Sequence, residues 1–336
     1  MKTFSSLEDA CEFVGVEPRQ NIVEGEWVRT DVLNDRRGKN DGSIFLFPGG
    51  AGGLVYNWKA TFGESKAIFF NGAQNWTKEV RERRLREIHK VVNSLELAKL
   101  KEKVAVADEA RKIWKVCHKV KSQAAHPYLV NKNVTPVRFL RMISVPELRK
   151  ASHLSQYLNF EKTTSLLVLP ACSFDDPDDK LRLWSLQFIT ESGKKRFLPK
   201  GRITGCFAPL NGLYGPSRRT LEFQIAIGEG FATVQSVMQR AIEPADCFGV
   251  VAFSCHGLVN VAPRLRLRYP KALISVLGDI GNGSDQARQA ANAVGGQVFF
   301  PEFSESQIAA FVSKHGKRPT DWNDFYEVLE AENEYR

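Results

Sequence analysis

No two cysteines in this sequence are spaced as C-x-x-C: Cys11, Cys117, Cys172, Cys206, Cys247 and Cys255 are scattered along it. That excludes a zinc ribbon, so no zinc is expected. With no secretory leader visible, the same spacing gives the expectation of reduced thiols in a cytoplasmic protein. No apolar run approaches the length that spans a bilayer, which leaves no membrane partner. No Walker A lysine loop is present, so the expectation is a chain without a nucleotide-driven motor of its own. Internal repeats and low-complexity tracts are missing too.

What is present is ordinary in bulk and unusual in charge. The 336 residues are 43% hydrophobic and 25% charged, typical of a globular protein with a sizeable core. A formal net charge of +9 and a pI near 9.2 favour polyanionic partners. A merely basic enzyme would look the same.

Four stretches differ in texture, at 1–76, 77–125, 126–219 and 220–336. The first opens on an amphipathic helix capped by Ser6, with Leu7, Ala10, Cys11 and Val14 on one face. Short β runs follow at 26–29, 43–47, 54–58 and 67–70, with Arg36, Arg37 and Lys39 in a basic loop. Trp27, Phe45, Phe47 and Trp58 read more readily as core than as a base-stacking platform. The second stretch holds no proline or glycine between 78 and 121, and there carries fourteen Lys or Arg against seven Asp or Glu. Its apolar spacing predicts one or two long helices, a linker with some phosphate affinity.

In the third stretch, 165–170 and 181–189 fit two antiparallel strands joined by the acidic turn 175–179. That turn lacks the D-x-D-x-D-G pattern of a calcium loop. Lys194, Lys195, Arg196, Lys200 and Arg202 then fall within nine residues, with Phe197 among them. Such a string suits phosphate contact, although lysines also guard edge strands.

The fourth stretch alternates strand and helix: strands at 223–227, 249–253, 272–277 and 297–301, helices at 232–241, 258–268 and 285–294. Helical crossovers between short apolar strands imply an α/β fold with a parallel sheet and helices on both faces. Glu229, between Gly228 and Gly230, ends the first strand; Asp279 ends the third; Asp321 and Asp324 follow the last. Carboxylates gathered at one sheet edge make a hard-cation site. Taken singly, Asp285 reads as a helix cap or first-turn acid and Asp324 as a cap of the last helix.

These residues resemble a known family. Glu229 in G-E-G, Asp279 after the third strand and the D-W-N-D run at 321–324 are similar to the Toprim domain of bacterial primases, topoisomerases and some nucleases. The strings at 254–258, 269–270 and 278–279 narrow the likeness, as do His126-Pro127-Tyr128-Leu129, Trp184 to Phe188 and Lys195 to Leu198. Together they look like the Toprim primases of phage satellites, prophages and conjugative plasmids, over about residues 120 to 330; 20 to 75 match in texture only.

The resemblance implies a small β-rich amino-terminal domain, a basic α+β subdomain and a Toprim-like sheet. It also implies synthesis of RNA primers on single-stranded DNA from ribonucleoside triphosphates, with a replicative helicase as separate partner. Glu229 would act as general base or metal ligand. Asp279 with Asp321 and Asp324 would hold magnesium or manganese, and Lys195, Arg196, Lys200 and Arg202 would meet template or triphosphate. One departure matters: the family's D-x-D after the third strand is here Asp279-Ile280-Gly281. The second acid is missing, with Asn282 or Asp285 as substitutes. A Toprim nuclease and a non-catalytic DNA-binding protein are the alternatives.

Overall fold

The computed structural model describes residues 2–33, 40–49, 52–58, 66–70, 77–160, 162–174, 181–212, 223–240, 247–281 and 283–334. Arg36, Arg37, Lys39, Asn282 and the acidic turn at 175–179 lie outside the described residues. The chain divides into two compact units, Met1–Glu96 and Leu97–Arg336.

In the first unit, β1 (Lys2–Phe4), α1 (Leu7–Val14), β2 (Trp27–Thr30), β3 (Gly42–Leu46), β4 (Gly52–Asn57) and β5 (Lys66–Phe70) build one sheet and one helix. The strand order is β1-β5-β4-β3-β2, with β1 parallel to β5 and the other pairs antiparallel. Ser6 caps α1 by accepting the Asp9 N–H, as its position before the apolar face predicts. Strand side chains alternate between faces. Ile44, Val55 and Phe69 therefore pack under Ala10, Cys11 and Val14, while Phe45, Leu54, Ile68 and Phe70 face Val91, Val92 and Leu95. Phe45 and Phe47 are core. Trp58 is half exposed, its ring stacked with Tyr56 and approached by Arg29. β1 has no counterpart in the sequence reading.

The basic run forms a single helix, α2 (Lys78–Val116). Its second half belongs to the second unit, where it covers one face of an antiparallel sheet. That sheet comprises β6 (His118–Lys119), β7 (Arg141–Ser144), β8 (Ser165–Ser173), β9 (Arg182–Thr190) and β10 (Lys195–Phe197), in the order β10-β9-β8-β7-β6. Short helices α3 (Pro127–Asn131) and α4 (Val145–Ala151) flank β7. Val106, Ala110 and Ile113 of α2 meet Leu166, Val168, Leu186 and Phe188 on that face. Leu167, Leu169 and Ile189, one residue out of step, look the other way.

They look onto the third sheet, through its helix α5 (Phe231–Arg240). The sheet itself holds β11 (Ala208–Pro209), β12 (Gln224–Gly228), β13 (Cys247–Val251), β14 (Leu273–Leu277) and β15 (Gln297–Phe299), in the order β11-β13-β12-β14-β15. β12 to β15 are mutually parallel and β11 runs antiparallel on the edge. Helices α6 (Cys255–Arg268) and α7 (Ser284–Ala293) pack on the face opposite α5. Right-handed crossovers require this split, because the chain leaves β12 toward β13 but leaves β14 the opposite way. Adjacent strands whose connections diverge open a crevice at their carboxyl ends. β12 and β14 are that pair. Helices α8 (Glu305–His315) and α9 (Trp322–Glu334) complete the unit, α9 packing on α5.

Candidate active site

Glu229 follows β12 and Asp279 is the second residue after β14, so the crevice between those strands is walled by the two carboxylates read as catalytic. The turn into α6 completes Glu229's setting: the Cys255 backbone N–H faces its carboxylate and favours its charged form. Opposite lies Gly283, at φ +115; a Cβ there would stand 2.9 Å from Glu229 Oε1 and 3.0 Å from Cys255 Cβ. Glycine at 283 is what lets the carboxylate lie against the loop. Burial raises the Glu229 pKa above the ordinary range, against the pull of the Cys255 N–H and Lys195.

Asp279 is more perturbed. Burial first, then the negative charges of Asp321 and Glu229, push its pKa up to about 7, with Lys195 opposing and Asp324 adding. Its Oδ1 is buried without a hydrogen-bond partner. Ser284 Oγ donates to the Asp279 carbonyl, and the Ile280 N–H donates to Thr320 O at 2.8 Å, tying this loop to the one that carries Asp321.

Asp321 and Asp324 are differently engaged. Asp321 Oδ1 accepts the Asp324 N–H at 2.9 Å, so Asp321, rather than Asp324, caps α9. Asp324 is buried; Oδ2 accepts the Thr320 N–H and Oδ1 lies 3.7 Å from Lys317 Nζ. Of the two, Asp321 acts more strongly on Asp279, and it also acts on Lys195. Asp285 sits in the first turn of α7, as expected of a first-turn acid.

The basic string divides, because a strand alternates its side chains. In β10, Lys195 pairs with Ile189 and Phe197 with Gln187, on the face toward α5; Arg196 pairs with Phe188, on the face toward α2. Lys195 feels the carboxylates: its pKa is lowered by burial of the ammonium, against Asp321, Asp279 and Glu229, with Lys132 adding to the lowering. Its side chain still reaches solvent, so the ammonium lies in a crowded but open mouth. Lys194 is exposed. Lys200 pairs with Glu102 at 2.7 Å, at the lip of a cavity of about 440 Å³ that Tyr157 and His153 also line. Arg202 stacks on Trp184 with its guanidinium 4.7 Å from the ring centre.

Sequence reasoning missed the Cys255 N–H, the Gly283 cradle and Lys132. Glycine flanking Asn282 was the available signal for the cradle. His126, part of the family-like string, is structural: Nδ1 accepts the Tyr128 N–H to cap α3, Nε2 meets Ser165 O, and burial lowers its pKa.

The donor set suits a hard divalent cation, since every candidate ligand atom is a carboxylate oxygen. Asp279 Oδ1, buried and unpaired, is the oxygen such an ion would satisfy. Among the described residues no three His, Cys, Asp or Glu side chains are gathered tightly enough to hold an ion unaided. Magnesium needs no such cage, because it takes one or two carboxylates and completes its shell with water and substrate phosphate.

The chain matches no protein-family model. A stretch of 136 residues, 38% of the chain, is 32% identical to a DNA primase TraC of Escherichia coli. A second DNA primase TraC of Escherichia coli is 32% identical over 140 residues, 39% of the chain. Over that stretch the chain is similar to DNA primases. The matches cover 12% and 9% of those proteins, so the chain spans about a tenth of the length of the curated relatives it matches. Among solved structures, the primase fragment of the bacteriophage T7 primase-helicase overlaps 50% of this chain and 60% of its own, at TM-score 0.32 and 10% identity. The bacteriophage T7 lagging-strand DNA polymerase complex with primase domains overlaps 48% of this chain and 81% of the matched one, at TM-score 0.30 and 10% identity. Overlap that loose carries no argument. No described helix is long and apolar enough to cross a membrane.

Proposed function

We propose that the protein is a DNA primase of Toprim type, making short RNA primers on single-stranded DNA from ribonucleoside triphosphates. The reading rests on one observation above the rest: Glu229 and Asp279 follow the adjacent parallel strands β12 and β14, and the charges of Glu229, Asp321 and Lys195 all act on Asp279. The likeness to DNA primases over part of the chain supports it. Replication of a mobile element is the setting that the sequence resemblance adds, with any helicase as a separate partner.

In this mechanism Asp279 and Asp321 would hold magnesium or manganese, which would supply stabilisation of the charge that develops in phosphoryl transfer. Glu229, partly desolvated and oriented by the Cys255 N–H, accepts the proton of the attacking 3′-hydroxyl. Lys195 neutralises triphosphate oxygens as they enter. Asp324 positions the loop that presents Asp321, through its bond to Thr320.

A non-catalytic DNA-binding protein is the second reading, and a specific observation favours it. Where the second acid of the family pattern would stand, Gly281 has no side chain, and Ile280 beside it is exposed. A gel assay with single-stranded template, ribonucleotides and magnesium separates the readings. New short RNA supports a primase, template shortening a nuclease, and binding without product the non-catalytic form. Glu229→Gln and Asp279→Asn should each abolish primer synthesis; intact synthesis in both would overturn the site assignment.

A further inference from the structure

Phe253 has a backbone φ of +71. Left-handed geometry is ordinary for glycine and tolerable for asparagine, and is a true outlier for a bulky aromatic. Strain of this kind persists only where surrounding structure holds it, and it clusters at functional sites. The position itself makes no demand for an aromatic, since glycine would adopt the turn without strain. What phenylalanine adds is a ring.

That ring goes to the basic strand. Phe253 meets Phe197 edge-on, centroids 5.2 Å apart and planes at 90°. Phe197 is on β10, two residues from Lys195 and on the same face. Behind the contact, Phe253 packs against the buried group that includes Trp184 and Cys206, so the ring is wedged. The backbone of the same turn goes to the carboxylate. Ala252 N–H bonds Gly228 O at 2.8 Å, Ser254 Oγ accepts the Gly257 N–H, and Cys255 and the Glu229 carboxylate both lie against Gly283, with the Cys255 N–H facing the carboxylate. Gly257 holds the turn tight, because a Cβ there would fall 1.9 Å from Ala252 O. One strained turn therefore holds Glu229 by its amide and Lys195's strand by its side chain.

We infer that Phe253 is a positioning residue that sets the separation of Lys195 and Glu229 for nucleotidyl transfer. The inference rests on the primase reading for its chemistry, and on geometry alone for the coupling. A core residue would contribute stability in proportion to its packing. A positioning residue contributes to the rate out of proportion to stability, since misplacement of about 1 Å costs up to about 100-fold.

Two measurements test it. In primer synthesis, Phe253→Leu and Phe253→Gly should each lower kcat about 10- to 100-fold while the KM for ribonucleotide changes little. Phe253→Gly relieves the backbone strain, so its melting temperature should fall less than that of Phe253→Ala, yet its rate loss should match. Phe197→Leu combined with Phe253→Leu should be no slower than the worse single variant, because both break one contact. Rate losses that track melting temperature, or that multiply in the double variant, would overturn the inference. The second measurement needs no activity: hydrogen exchange in Phe253→Leu should quicken in both 253–257 and 194–198. Quickening in 253–257 alone would overturn the coupling. A wild-type chain that makes no primer but shows joint quickening would sink the primase reading and leave the coupling standing.

Discussion

Asp279 is where the proposed function and stability oppose each other in a single residue. Its carboxyl is raised from 3.8 to about 7 by burial and by Asp321 and Glu229. The folded state thus holds the Asp279 proton more tightly than the unfolded chain does. This group's contribution to stability is fully present below about pH 4 and is lost as pH rises through 7. Asp279→Asn removes the titration. With chelator present, the variant should match wild type near pH 4 and melt at increasingly higher temperature than wild type from pH 5 to 8. Magnesium should then raise the melting temperature of wild type and leave that of the variant almost unmoved. A variant that melts below wild type at pH 8 would show that the buried charge costs nothing. The strand-end positions of Glu229 and Asp279 were legible in the sequence because each follows an apolar run punctuated by glycine. The inequality between Lys195 and Arg196 was not, because it depends on which residue of β9 each one faces.

At the scale of elements, the loop from β14 to α7 gives a controlled comparison. Gly281 and Gly283 both have positive φ, +102 and +115, yet a Cβ at 281 meets nothing within 4 Å while one at 283 meets Glu229 and Cys255. Alanine at either position should cost about 1–2 kcal/mol through backbone strain alone. Gly283→Ala must also displace the Glu229 carboxylate. Urea unfolding should therefore place the two variants within about 1 kcal/mol of each other, with primer synthesis greatly reduced only in Gly283→Ala. Equal activity in both would show that Glu229 tolerates movement. Of the parallel strands, β12, β13 and β14 were readable because each is largely buried and so forms a short apolar run, whereas the edge strand β15 is largely exposed. β7 escaped notice because Arg141-Met142-Ile143-Ser144 is short and half polar, although the Ser144-x-x-Glu147 capping box that follows marks the start of α4 plainly. Asp321 and Asp324 could not be ranked from spacing, since D-x-x-D fits a cap in either direction and only the Asp324 N–H bond to Asp321 decides it.

For the whole molecule, the division at Glu96 and Leu97 falls inside α2, a boundary that the uninterrupted helical texture of 78–121 hid. The six buried hydrophobic clusters among the described residues nonetheless each stay on one side of it: two lie within Met1–Glu96 and four within Leu97–Arg336. Cooperative folding follows shared buried surface, so a core that does not cross the boundary allows each side to melt by itself. The third sheet, the middle sheet and the candidate site all belong to the larger unit, and the cluster joining Leu167, Leu169 and Ile189 to Phe231 and Val234 ties its two sheets together. A fragment of residues 97–336 should therefore fold in one transition, at a temperature within a few degrees of one transition of the full chain. It should keep the magnesium-dependent stabilisation predicted for Asp279, because every residue behind that effect lies in the fragment. Fragment 1–96 should show a separate melt. A 97–336 fragment that is unfolded under conditions where the full chain is folded would show that the cores are coupled across α2, and would move the boundary of the larger unit toward the amino terminus.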